Sequence, residues 1–145
     1  MESEHFKLWE FKCKDGTPYP EEWRETRLPT LLHLLEAIRH VIGDLPVTVV
    51  CGYRTPSHNT RLRERGMRGE SGVTGVAEHS QHMEGRAADI MCHGMRTTVL
   101  HSYISEAFED GRLHDLGGLG LYEGMGFVHV DTYRLASGHL RRWTG

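Results

Sequence analysis

Two histidines and two carboxylates, in the strings SQHMEGRAADI and FVHVDT, are the side chains best placed to do chemistry: His82, Asp89, His129 and Asp131. Imidazole nitrogen and carboxylate oxygen are common protein donors to zinc, at about 2.0–2.2 Å from the ion. Spacing tests whether His82 and Asp89 can share one ion. In a continuous helix they would stand about 10 Å apart along the axis, and in a fully extended chain about 23 Å apart. Neither works. A turn between them does, and Gly85 lies where that turn is needed, since glycine adopts tight backbone conformations freely. Asp89 then falls on a strand face with Ala87 and Met91, while Ala88 and Ile90 point the other way. A carboxylate among apolar residues needs a partner. A cation is one, and Arg86, near in sequence, is another.

His129 and Asp131 are i and i+2 on a strand pattern, hence on one face, with Val128 and Val130 on the opposite one. Three protein ligands plus a water form the usual catalytic-zinc arrangement, and His82, Asp89 and His129 would supply it. Single histidines also serve as hydrogen-bonded structural residues, and the HExxH signature is absent. His79 and His82, at i and i+3, lack helical apolar flanks and do not read as a metal pair.

The elements that must position these groups can be read from periodicity. Leu31, Leu34, Leu35, Ile38 and Ile42 form one helical face, opened near Pro29 and stopped by Gly43, with His33 and His40 on the solvated side. Val47 to Cys51 is rich in β-branched residues and reads as a buried strand ending at Gly52. Thr55-Pro56-Ser57 opens a short helix through Leu62 and Glu64, and the glycine-rich run 66–75 reads as a mobile surface loop. Ala87 to Met91 is a second strand. Leu100, Tyr103, Ile104, Ala107 and Phe108 give a second amphipathic helix, stopped by Gly111. Two short strands follow, Gly118 to Tyr122 and Phe127 to Thr132, joined by the turn EGMG. The expected fold is α+β, a small antiparallel sheet flanked by helices.

Composition sets the outer bounds. A chain of 145 residues and 16.5 kDa suits one domain spanning 1–145. No apolar run reaches the roughly 20 residues needed to cross a bilayer, and the charged start MESEHFKLWEFKCK carries no apolar signal-peptide core. A net charge of −3 argues against nucleic acid as a partner. Eleven histidines raise the prospect of a metal or acid/base site. Cys13, Cys51 and Cys92 lack CxxC spacing and read as reduced, mostly buried thiols.

Three blocks, in order over roughly residues 5–143, carry a resemblance. SQHMEGRAADI closely resembles the SxHxxGxAxD motif of the zinc D-Ala-D-Ala carboxypeptidase family, peptidase family M15. CGYRTPSHN is similar to its SGYR(S/T)PxxN segment, and GGLGLYEGMGFVHVDT to its GGxGxYxxxxFVHxD block. The resemblance implies a hedgehog/D-Ala-D-Ala peptidase-like fold with Zn2+ held by His82, Asp89 and His129, and substrate contacts from Arg54 and Ser80. It implies cleavage of peptidoglycan stem peptides through zinc-activated water, by D-Ala-D-Ala carboxypeptidase or endopeptidase action. The partner is then the cell-wall peptide, met by a monomer with no membrane insertion.

Many relatives place an acid, the general base, three residues before the last histidine ligand, where this chain has Gly126. Asp131 is the substitute candidate as catalytic base, with orientation of the site as its other role; Glu84 and His79 are weaker alternatives. Arg54 suits bidentate binding of a carboxylate, or else a surface ion pair. Tyr53 and Tyr122 either line the cleft or simply pack. The departure at Gly126 keeps a second reading open, a non-catalytic zinc-containing peptidoglycan-binding module. A metal-free α+β domain with structural histidines is a third. A wall-directed enzyme without an export signal fits a phage-encoded protein made in the cytoplasm and delivered to the wall.

Overall fold

A computed structural model describes residues 2–70 and 76–145. Helix α1 (Arg27–Val41) begins two residues before Pro29 and buries Leu28, Leu31, Leu34, Leu35 and Ile38. Strand β1 spans Val47–Cys51 and helix α2 Pro56–Met67. Strand β2 (Ala87–Cys92) and helix α3 (Thr97–Glu109) follow, then β3 (Gly118–Tyr122), β4 (Phe127–Asp131) and β5 (Arg141–Thr144). Each fully buried leucine or isoleucine of α1 contributes about 1.5–3 kcal/mol over its exposed state, so the helix is held by its apolar face. In α3 the buried face is Leu100, Ile104 and Ala107, whereas Tyr103 is exposed. Of the expected mobile loop, Gly66 and Met67 close α2 and residues 71–75 lie outside the described chain. No helix among the described residues is long and apolar enough to cross a membrane.

The sheet order is β1-β2-β4-β3-β5. The first three pairings are antiparallel, as the sequence suggests, but β5 joins β3 in parallel, so the sheet is mixed. Strand β1, expected to be buried, is an edge strand and only half-buried. Alternation divides the sheet into two chemical faces. Ala88, Ile90, Leu119, Val128 and Val130 enter the core, where α1 and α3 pack. Asp89, His129 and Asp131 take the other face.

Register then builds the site almost unaided. Cys51 pairs with Asp89, Asp89 with His129, His129 with Gly120, and Gly120 with Trp143, one row across all five strands. The neighbouring row runs Ala87, Asp131, Gly118, Arg141. The two glycines are gaps in the β3 face. A Cβ on Gly120 would lie 2.6 Å from Trp143 Nε1, so its absence lets the indole approach His129, ring centroids 5.0 Å apart.

Candidate metal centre

His82 comes from outside the sheet, on the turn 81–85 that the spacing argument requires. Gly85 closes it at φ +67°, with Gly85 N–H donating to the His82 carbonyl at 3.3 Å. A Cβ on Gly85 would meet Trp23 and Tyr19, and the Tyr19 hydroxyl donates to the Gly85 carbonyl at 2.7 Å. Tyr19, Trp23 and Tyr53 pack edge-to-face. Tyr53 therefore belongs to this buttress, and Tyr122 to the cleft.

His82 Nε2 and His129 Nδ1 each lie 3.1 Å from the same oxygen, Asp89 Oδ1. The other nitrogen of each ring is already committed. His82 Nδ1 lies 2.7 Å from the Gly52 carbonyl, which only accepts, so Nδ1 carries the proton. His129 Nε2 lies 2.8 Å from Asp131 Oδ2 and donates to it. In the neutral imidazoles, then, the two nitrogens that face Asp89 carry lone pairs, and so does the oxygen they face. Two imidazole lone pairs directed at one carboxylate oxygen require a positive charge beside them. Tetrahedral donors at zinc distances are about 3.4 Å apart, close to the 3.1 Å from each imidazole to Asp89 Oδ1, while the three donor atoms within 4.8 Å of one another are those of Cys51, His82 and Asp89. Imidazole nitrogen and carboxylate oxygen are the donor types that suit zinc, which His82, Asp89 and His129 would hold. Among the described residues Asp89 pairs with the two imidazoles and forms no ion pair with Arg86.

The three residues are at most 6% exposed. Burial alone would push the His82 imidazole down, but Asp89 and Cys51 beside it win, and its pKa rises to about 10. Burial pushes the Asp89 carboxyl up, yet the charge of His82 and the bonds from both imidazoles hold it well below the usual carboxylate range. A proton on His82 thus fills, without metal, the role that a cation would take.

Asp131 is fully buried, with both oxygens engaged. Oδ2 takes His129, and Oδ1 accepts from the Tyr133 amide at 3.0 Å and from the Arg141 guanidinium. Of the two roles open to it, this geometry favours orienting His129 over receiving a proton from substrate water. Glu84 is engaged by Arg27 at 3.3 Å and by His79 at 3.5 Å, and His79 is exposed at the rim. Gly126 adopts φ +78°, ψ +25°, a left-handed turn that strains an acidic side chain.

A cleft of about 620 Å³ opens over the cluster, lined among others by Arg54, Ser80, Tyr122 and Trp143. Arg54 is only 9% exposed, not a surface ion pair; Nη1 donates to Asn59 Oδ1 at 3.0 Å and Nη2 to Cys51 Sγ at 3.5 Å. It has no carboxylate partner among the described residues, so its charge is available to a ligand. Asn59, 1% exposed, also donates to the Ala77 carbonyl at 2.9 Å and so ties α2 to the segment before His82. Ser80 Oγ accepts from the His82 amide at 3.2 Å while facing the cleft.

Cys51 is the site residue that the sequence reading did not single out among three reduced, mostly buried thiols. It is a half-buried thiol at the site rather than a core one, with its Sγ 3.8 Å from His82 Nδ1. Its donor atom and those of His82 and Asp89 lie within 4.8 Å of one another. Burial raises its pKa, but His82 and Arg54 outweigh burial and bring it down to about 7. Its alternation with Val49 on an edge strand was the available signal.

Comparison with known proteins gives a consistent family. A family model described as peptidoglycan L,D-endopeptidase MepK matches residues 22–143. A Haemophilus influenzae protein described as a probable peptidoglycan L,D-endopeptidase MepK is 34% identical over 81% of this chain and 54% of its own length. The Escherichia coli peptidoglycan L,D-endopeptidase MepK is 33% identical over 79% of this chain and 53% of its own. A Streptomyces albus zinc D-Ala-D-Ala carboxypeptidase is 30% identical over 76% of this chain and 35% of its own. The chain spans about half the length of the first two.

Proposed function

The chain belongs to the M15 peptidases of the peptidoglycan L,D-endopeptidase MepK type, and from that premise we propose that it is a zinc peptidase cutting stem peptides of the bacterial cell wall. One observation carries the reading: two imidazole nitrogens, of His82 and His129, face the same buried carboxylate oxygen of Asp89 in the lining of an open cleft. His82, Asp89 and His129 would hold the ion. Zinc held there supplies Lewis acidity, polarising a peptide carbonyl and acidifying a water. The remaining work belongs to the chain itself. Gly52 and Asp131 fix the two imidazoles in the tautomers that leave Nε2 and Nδ1 free. Arg54 offers its guanidinium to a substrate carboxylate, and Ser80, on the turn beside His82, contacts the peptide. Trp143, Tyr122 and Phe127 give the cleft an apolar wall against which the peptide lies.

The family model and the Haemophilus influenzae and Escherichia coli relatives are all described as L,D-endopeptidases, which favours an L,D bond as the target. Mass spectrometry of defined muropeptides, containing either an L,D or a D-Ala-D-Ala bond, tests this. L,D cleavage that stops with a chelator and returns with zinc is the expected result. Stoichiometric zinc with no product from either substrate would leave a binding module in place of an enzyme.

Two further outcomes are expected. Arg54→Ala should raise KM about 10- to 100-fold with kcat little changed, the size of one lost charge-assisted hydrogen bond; an unchanged KM would remove Arg54 from substrate binding. Zinc affinity should also depend on pH. Zinc needs the lone pair of His82 Nε2, while the metal-free imidazole holds its proton up to about 10. Affinity should therefore weaken roughly tenfold for each unit the pH falls below that value. Competition titrations between pH 6 and 9 read the slope, and a flat profile would mean that His82 is already neutral.

A further inference from the structure

We propose that Arg141 is a positioning residue of the metal centre, acting on His129 through Asp131; the role presupposes the zinc reading above. Strand β5 looks unpromising for chemistry, being short, charged and at the sheet edge. Its parallel register nonetheless sets Arg141 opposite Gly118, and Gly118 opposite Asp131. Gly118 is the passage between them. A Cβ there would lie 2.7 Å from Arg141 Nη2 and collide with the Asp131 carboxylate. Without it, the guanidinium crosses the whole of β3 to reach a carboxylate on β4.

The contact sets the orientation of Asp131. Arg141 Nη2 and the Tyr133 amide both donate to Oδ1, and Nη2 also donates to the Tyr133 carbonyl at 3.0 Å. With Oδ1 held by two donors, Oδ2 has one direction left, toward His129 Nε2 at 2.8 Å. A carboxylate oxygen accepts and never donates, so His129 must carry its proton on Nε2 and present the Nδ1 lone pair to Asp89 and the ion. Arg141 has no other acidic partner among the described residues, and the rings of Tyr133 and Trp143, 5.2 and 5.8 Å away, flank it. Its charge is committed to this one carboxylate. Without it, Asp131 would be free to turn about its side-chain bond and His129 would lose control of its tautomer.

The test uses the full chain, labelled with 15N-histidine, in zinc-free and zinc-loaded forms. In the zinc-free wild type His129 should be the Nε2–H tautomer. Arg141→Met should give a mixed tautomer and weaken zinc binding about 10- to 100-fold, the usual cost of losing an outer-shell partner. Arg141→Lys, whose ammonium can still donate to Oδ1, should stay within a few-fold of wild type. Far-UV circular dichroism separates this local effect from unfolding. An Nδ1–H tautomer in the wild type overturns the proposal, and so does an Arg141→Met variant with wild-type tautomer and zinc affinity. Should the wild type take up no zinc, the zinc reading fails on its own, and the tautomer still decides whether Arg141 governs His129.

Discussion

Replacing His82 or Asp89 by alanine is expected to abolish stoichiometric zinc binding, and peptidase turnover with it. Each supplies one of the three donors assigned to the ion, and the two that remain cannot compensate. Asp89→Ala removes the carboxylate donor, leaving two buried imidazoles facing each other at a ring separation of 5.1 Å. His82→Ala leaves a carboxylate only 5% exposed with one imidazole for company. Loss of an outer-shell partner typically costs about 10- to 100-fold in metal affinity, so loss of a ligand itself should cost more, on the order of 1,000-fold or beyond. His82→Ala also strips a buried negative charge of its counter-charge, a change that costs about 3–5 kcal/mol where the pair is fully buried. The metal-free variant should therefore melt earlier as well. Metal analysis per chain, with circular dichroism on the same sample, reads both effects. A folded variant that still holds one zinc per chain would defeat the ligand assignment.

The parts of this design that were legible in the sequence are those written in local patterns. The apolar stripe of α1, its stop at Gly43, and the alternation that sends Val128 and Val130 one way and His129 the other each need only a few consecutive residues. The turn between His82 and Asp89 was legible because geometry forbade every alternative. What escaped depends on partners far away in the chain. Strand β5 carries no apolar alternation to announce it, and its pairing with β3 is reached through a long connection. Gly118 and Gly120 looked like ordinary strand glycines. Their purpose, clearing the way for Arg141 and Trp143, exists only once the parallel register is known. The same holds for the tautomers: Gly52 and Asp131 select them by hydrogen bonds that no spacing rule anticipates.

Asp131→Asn separates the two roles that its position on the His129 face leaves open. A catalytic base would be missed in turnover alone, with zinc affinity intact. An orienting residue would be missed first in the metal. The geometry favours the second. Asparagine keeps the shape of aspartate but has one accepting oxygen and one donating NH2 group. Two donors, the Tyr133 amide and the Arg141 guanidinium, crowd the Oδ1 position, and one imidazole sits at Oδ2. The amide oxygen satisfies most partners by facing Tyr133 and Arg141, which turns the NH2 toward His129. Nε2 must then accept, the ring proton moves to Nδ1, and that proton points at Asp89 Oδ1, where the ion belongs. The expected result is zinc binding weakened about 10- to 100-fold, with part of the turnover recovered when zinc is raised to saturation. Wild-type zinc affinity together with lost turnover would instead return Asp131 to the role of base.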